Sequence, residues 1–106
     1  MSLKIVAVTA CIAGIAHTYM AQANLKKYAE KSGYEIKVET QGSMGIENRL
    51  SQEDIDNADV VIFAVDTTVS GRDRFDGKKI LELGTSAVVK DGKSAIEKAA
   101  ALVSGN

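Results

Sequence analysis

The sequence predicts an α/β fold: an open, four-stranded, mostly parallel sheet with helices on both faces, doubly wound, in a single domain spanning residues 1–106. Three observations carry this. Short apolar runs alternate along the chain with segments of helical composition, the pattern of a parallel sheet with flanking helices. A length of 106 residues suits one domain with a modest core. Proline is absent and aromatics are only 5%, so the core must come from Val, Ile, Leu and Ala.

The first strand is predicted over residues 4–9, Lys-Ile-Val-Ala-Val-Thr, a nearly continuous β-branched run that reads as buried on both faces. A helix over about 16–31 follows, rich in Ala, Leu, Met, Gln and Lys, with Gly33 placed as its C-terminal cap. Its apolar residues fall on two sides: Ala16, Met20 and Ala23 on one, Ala21, Leu25 and Tyr28 on the other. Residues 35–40 alternate strictly and read as a half-exposed second strand. Ser51-Gln52-Glu53-Asp54 opens a short helix with a capping-box pattern. The run 60–65 is a third, central strand, a turn is predicted over 72–75, and 79–83 is a short edge strand. The final helix carries one stripe of Ala95, Ile96, Ala99, Leu102 and Val103.

Composition narrows the function classes. Thirteen basic against 14 acidic side chains give a net charge of −1, which disfavours nucleic-acid binding. A lone cysteine, Cys11, cannot form a disulfide within the chain and predicts a thiol-maintaining compartment, the cytosol. No apolar run reaches the roughly 18 residues of a membrane helix. Residues 5–15 are mostly apolar after Lys4, but the charged region and apolar stretch are both too slight for a secretory signal. One His and one Cys cannot build an all-protein zinc site, and neither a Walker A motif, a dinucleotide glycine fingerprint nor a nucleophile elbow is present. No metal and no cofactor are predicted.

In an open α/β sheet the ligand lies beyond the carboxyl ends of the strands. That rule selects residues 10–17, 41–45 and 66–71. The first strand runs into Cys11-Ile12-Ala13-Gly14-Ile15-Ala16-His17-Thr18 and then a helix. A strand, a glycine-containing loop and a helix N-terminus present backbone N–H groups to an anion, and the same field favours a thiolate. Cys11 is either a nucleophile receiving a tetrahedral oxyanion, with phosphoryl the natural candidate, or a small buried hydrophobe. His17 either donates to a phosphoryl oxygen or is a polar residue at a helix start. Thr18 caps the helix or donates its hydroxyl; Gly14 is a turn residue or admits the anion to the backbone. Gln41, Gly42 and Ser43 either line the same edge or form an ordinary loop. Asp66 is a structural turn residue or an acid–base group.

These residues form a pattern. Val8-Thr9-Ala10-Cys11-x-x-Gly14-Ile15-Ala16-His17-Thr18-Tyr19-Met20-Ala21, Val38-Glu39-Thr40-Gln41-Gly42-Ser43 with Gly45-Ile46-Glu47-Asn48, Ala58-Asp59-Val60-Val61-Ile62 and Arg74-Phe75 resemble the fructose-type enzyme IIB of the bacterial phosphoenolpyruvate-dependent sugar phosphotransferase system. The resemblance covers nearly the whole chain. It implies a four-stranded parallel sheet in which Cys11 takes a phosphoryl group from a phosphohistidine on the IIA component. Cys11 then passes the group to a sugar, fructose or a related hexose, held by the membrane component IIC, and the chain works at the inner face of the membrane. The family's loop usually reads Cys-Pro-Thr-Gly-Ile-Ala-His-Thr; here Ile12 and Ala13 replace Pro and Thr. The rim of the Cys11 loop, with Arg72 and Arg74, is the expected IIA docking region.

The rival expectation is a small cysteine-dependent phosphatase or arsenate-reductase-like enzyme, which has Cys, five residues, Arg, then Ser or Thr. Here His17 occupies the arginine position, and an imidazole cannot supply the bidentate clamp of that chemistry. A regulatory domain that has lost transfer ranks below both, because Cys11 and His17 are intact.

Overall fold

The computed structural model describes residues 3–10, 15–42 and 45–103, with backbone alone for 15–17. The elements run β1 (Lys4–Ala10), α1 (Ile15–Lys31), β2 (Glu35–Gly42), β3 (Gly45–Glu47), α2 (Gln52–Asp56), β4 (Val60–Val65), a 3-10 turn (Arg72–Phe75), β5 (Ile80–Leu83), α3 (Thr85–Lys90) and α4 (Gly92–Val103). The sheet has five strands in the order β3-β2-β1-β4-β5. β1 pairs in parallel with β2 and with β4, and β5 runs parallel to β4.

Two expectations are corrected. The sheet holds a fifth strand: Gln41 and Gly42 continue β2 and pair antiparallel with β3, Gly42 opposite Gly45. What read as a loop over 41–45 is therefore the arm of a hairpin, and the sheet is mixed. A helix, α3, also follows β5 where none was predicted. Its cap is remote in sequence: the Asp66 carboxylate accepts from the Thr85 N–H at 3.1 Å and from the Thr85 hydroxyl.

Helices cover both faces. α1, α3 and α4 pack over Ile5, Ala7, Val38, Val60, Ile62 and Ala64. The other face, with Val6, Val8, Val61 and Phe63, is closed by Leu50, Ile55 of α2, Val69 and Phe75 of the 3-10 turn. Phe63 and Phe75 meet edge to face, centroids 5.1 Å apart at 88°, a contact worth about 0.5–1.5 kcal/mol beyond its buried area.

The two-sided pattern of α1 now has a cause. Ala21, Leu25 and Ala29 form the buried stripe, and Met20 faces solvent. Asn24 on the flank donates to the Val88 and Val89 carbonyls at 3.1 and 2.8 Å, tying α1 to the end of α3. Gly33 ends α1 with φ +77°. Its N–H donates to the Glu30 carbonyl and Tyr34 N–H to the Ala29 carbonyl, the paired bonds of a Schellman cap. The Ser51–Asp54 capping box is present in both directions.

Candidate functional site

β1 is the middle strand, so its carboxyl end is flanked on both sides. Ala10 lies opposite Gln41 of β2 and Val65 of β4, and the Asp66 N–H donates to the Ala10 carbonyl at 2.9 Å. The next residue in the chain is Cys11. Cys11, Ile12, Ala13, Gly14 and Ser43 lie outside the described residues, as do the side chains of Ile15, Ala16 and His17.

α1 begins at Ile15, which places His17 and Thr18 in its first turn. That turn carries no acidic side chain, so nothing of its own offsets the positive end of the helix dipole. Thr18 is buried, and its hydroxyl has no hydrogen-bond partner among the described residues. Thr9, two residues before Cys11, is in the same condition. Sequence reasoning named Thr18 and passed over Thr9, whose only signal is a hydroxyl inside an otherwise apolar strand.

Gln41, Gly42 and Asp66 all fall at the carboxyl edge, as predicted from strand order. Gln41 faces Ser70 of the segment after β4: its Oε1 accepts from the Ser70 N–H at 2.9 Å and its Nε2 donates to the Ser70 carbonyl at 3.1 Å. Nε2 also donates to Glu39 Oε2 at 2.6 Å. Asp66 is engaged by Thr85, and the geometry supports the structural side of its two readings.

Glu39 is the residue the sequence misplaced. In a half-exposed strand it belongs in solvent; it is fully buried. Arg74 explains this. Its Nη1 and Nη2 donate to Glu39 Oε1 and Oε2 at 2.9 and 3.0 Å. Its remaining N–H groups donate to the carbonyls of Leu50, Ser70 and Gly71 at 3.1, 3.0 and 2.9 Å. All five guanidinium donors are thus used. Burial pushes the Glu39 carboxyl up, but the hydrogen bonds from Arg74, Gln41 and the Leu50 N–H, with the charge of Arg74, outweigh it and leave the group below its usual range.

The expected docking role of Arg74 is therefore corrected: its side chain is 11% exposed and wholly committed inward. Arg72 is half exposed and pairs with Glu82 at 3.0 Å. On the α1 side of the edge, Glu47 of β3 accepts from the Tyr19 hydroxyl and, at 3.3 Å, from Thr40 Oγ1. That carboxylate joins α1, β2 and β3. The phenol of Tyr19 is held above its ordinary pKa, first by this hydrogen bond and then by desolvation and the Glu47 charge.

A larger open groove of about 750 Å³ lies at the opposite end of the sheet, among Lys4, Lys26, Tyr34, Lys37, Asp54 and Asn57. Among the described residues that line it there is no cysteine or histidine to carry group transfer. A smaller cavity of about 440 Å³ adjoins the carboxyl edge at Val65, Asp66, Thr67, Thr68, Arg72 and Glu82.

The fold is an open α/β sheet in which the central strand β1 is followed in the sequence by Cys11 and then by α1. Comparison with known proteins places it further. The family model described as PTS system, Lactose/Cellobiose specific IIB subunit matches residues 6–98. The chain belongs to this IIB family of the sugar phosphotransferase system. It is 47% identical to the PTS system fructose-like EIIB component 2 of Escherichia coli (strain K12), covering 90% of each. It is 54% identical over 85% of its length to the fructose-like PTS system EIIBC component of the same organism, of which it spans 19%. Among solved structures, a domain of the fructose-specific IIABC component of Borrelia burgdorferi superposes with a TM-score of 0.89 at 46% identity, covering 93% of this chain and 94% of that one.

Proposed function

We propose that residues 1–106 act as one IIB unit that carries phosphoryl groups on Cys11, accepting them from a phosphohistidine of IIA and delivering them to fructose or a related hexose held by membrane-embedded IIC. The single observation that carries this is the end of the central strand β1 at Ala10, flanked by Gln41 and Val65 and bonded by the Asp66 N–H, one residue before Cys11 in the sequence. The names of the relatives support the sugar, and relatives that join EIIB to EIIC or to EIIA and EIIC support the two partners.

The transfer balances simply. The Cys11 thiolate attacks the phosphorus of phosphohistidine; the S–P bond forms as the P–N bond breaks, and the imidazole leaves. Backbone N–H groups over 12–18, the α1 dipole, His17 and Thr18 stabilise the equatorial oxygens. A sugar hydroxyl oxygen then attacks the same phosphorus, the S–P bond breaks, the thiolate is regenerated and the hydroxyl proton passes to a base beside the sugar. Gln41, Gly42, Ser43 and Asp66 form the rim of this site. The step uses no metal and no cofactor.

Both partners must reach one sulfur, so the carboxyl edge is the docking surface. The large apolar side chains left exposed among the described residues, Tyr19 at 40%, Met20 at 49% and Ile46 at 40%, belong to the elements bordering it. Among the described residues no helix is long and apolar enough to cross a membrane; attachment to the cytoplasmic face through IIC is part of the proposal and is supported by the relatives that join EIIB to EIIC. The phosphatase alternative needs an arginine in the cysteine loop, and His17 stands at that position.

Intact-mass measurement after incubation with phosphoenolpyruvate, enzyme I, HPr and a fructose-type IIA tests the proposal. Wild type gains one phosphoryl group, Cys11→Ser gains none, and omitting IIA abolishes the gain. A folded wild type that stays unmodified beside a demonstrably active IIA contradicts it.

A further inference from the structure

The blocks Val38–Gly42 and Arg74–Phe75 supply no reacting group to the chemistry above, though Gln41 and Gly42 lie on its rim, and the fold brings the two blocks together. Glu39 and Arg74, 35 residues apart, form a buried bidentate pair. Every acceptor position of the carboxylate is filled: Oε1 takes the Leu50 N–H at 2.8 Å and Arg74 Nη1, and Oε2 takes Gln41 Nε2 and Arg74 Nη2. Gln41 in turn spends both amide hydrogens and its carbonyl oxygen on Glu39 and on the Ser70 backbone.

A buried ion pair is a poor way to gain stability, since apolar residues of the same volume often serve as well or better. What a saturated polar network supplies is one fixed geometry. Here the geometry it fixes is specific. Gln41 belongs to the strand on one side of β1, and Ser70 follows the strand on the other side. The segment between β4 and the 3-10 turn forms no strand or helix of its own. Gln41 binds Ser70 as a strand neighbour would, through a donor and an acceptor together, and Arg74 holds the Ser70 and Gly71 carbonyls from beneath.

We propose that Gln41, locked by Glu39 and Arg74, is a positioning residue for phosphoryl transfer at Cys11: it clamps the segments on either side of the β1 exit and thereby fixes the site for in-line attack. Gln41 touches neither sulfur nor phosphorus in this role. It rests on the carrier reading above. Its signature is kinetic, because misplacing reacting groups lowers the rate of the chemical step and leaves recognition of the donor intact.

The test is single-turnover transfer from phosphorylated IIA to the full chain, for wild type, Gln41→Met and Gln41→Glu, well below each melting temperature. Gln41→Met keeps the bulk and removes the hydrogen bonds. Its maximal rate falls by about tenfold or more, with the half-saturating IIA concentration within about twofold of wild type. Gln41→Glu sets a second carboxylate against Glu39. Protonated, it offers one donor and one acceptor in place of the two donors and one acceptor of Gln41, so its rate relative to wild type recovers in part as the pH is lowered. Should Gln41→Met fail to fold, the pH profile of Gln41→Glu decides alone. Maximal rates near wild type with no altered pH profile overturn the proposal. So does a loss confined to the half-saturating concentration, which would make Gln41 a docking residue. If wild type itself takes no phosphoryl group on Cys11, the carrier reading fails first and this inference with it; a phosphorylated wild type with unaffected variants sinks the inference alone.

Discussion

Arg74 holds Glu39 by two parallel hydrogen bonds of 2.9 and 3.0 Å, joining the carboxyl end of β2 to the 3-10 turn after β4 beneath the exit of the central strand. Breaking one partner leaves a buried, unpaired charge, which costs about 3–5 kcal/mol. Arg74→Met should therefore lower stability by that order in urea unfolding. The double variant Arg74→Met, Glu39→Leu should recover much of the loss, because no charge is stranded. Equal losses in the single and double variants would contradict this account of the pair.

The pH dependence follows from the depressed carboxyl of Glu39. A folded pKa below the unfolded value gives stability that is fully present above the unfolded value, about 4.3, and lost as pH falls through the folded one. The stability difference between wild type and Glu39→Gln should thus be constant near neutrality and shrink only below about pH 4. Urea midpoints from pH 7 to pH 3 check this.

Gly71 is constrained twice. Its φ is +71°, and a Cβ there would stand 2.7 Å from Arg74 Nε. Gly33 has φ +77° with nothing within 4 Å of the added atom. Gly33→Ala should cost about 1–2 kcal/mol from backbone strain alone. Gly71→Ala should cost clearly more, since the guanidinium must also give way. Thermal unfolding of the two variants compares them directly.

Asp66 caps α3 from 19 residues away. Asp66→Ala should lose about 0.5–2 kcal/mol, the usual cost of an N-terminal cap. The loss should appear as faster amide exchange in Thr85–Lys90 before α1 or α4 is affected.

The strands β1 and β4 were legible because buried parallel strands are written as continuous apolar runs, β5 as a short mixed run suited to an edge, and the end of α1 because Gly33 is a local signal. The hairpin arm β3 has three residues, all exposed, and leaves no hydrophobic pattern. α3 was hidden because Asp66, its capping side chain, belongs to a different part of the chain. Glu39 misled for the same reason: alternation around residue 39 is what a half-exposed strand shows, and nothing local announces that Arg74 will follow it inside. The edge of the sheet that holds the candidate site came from strand order and one cysteine. The network beneath it came from contacts 29 to 35 residues apart, which periodicity does not record.

The carrier role is tested most directly by the second half of the relay. The chain is phosphorylated through IIA, isolated, and mixed with membrane vesicles containing a fructose-type IIC and fructose. The account predicts that the chain loses its phosphoryl group only when both IIC and sugar are present, with an equal amount of sugar phosphate formed. Release as inorganic phosphate in their absence, at the same rate, would contradict it and make the protein a phosphatase.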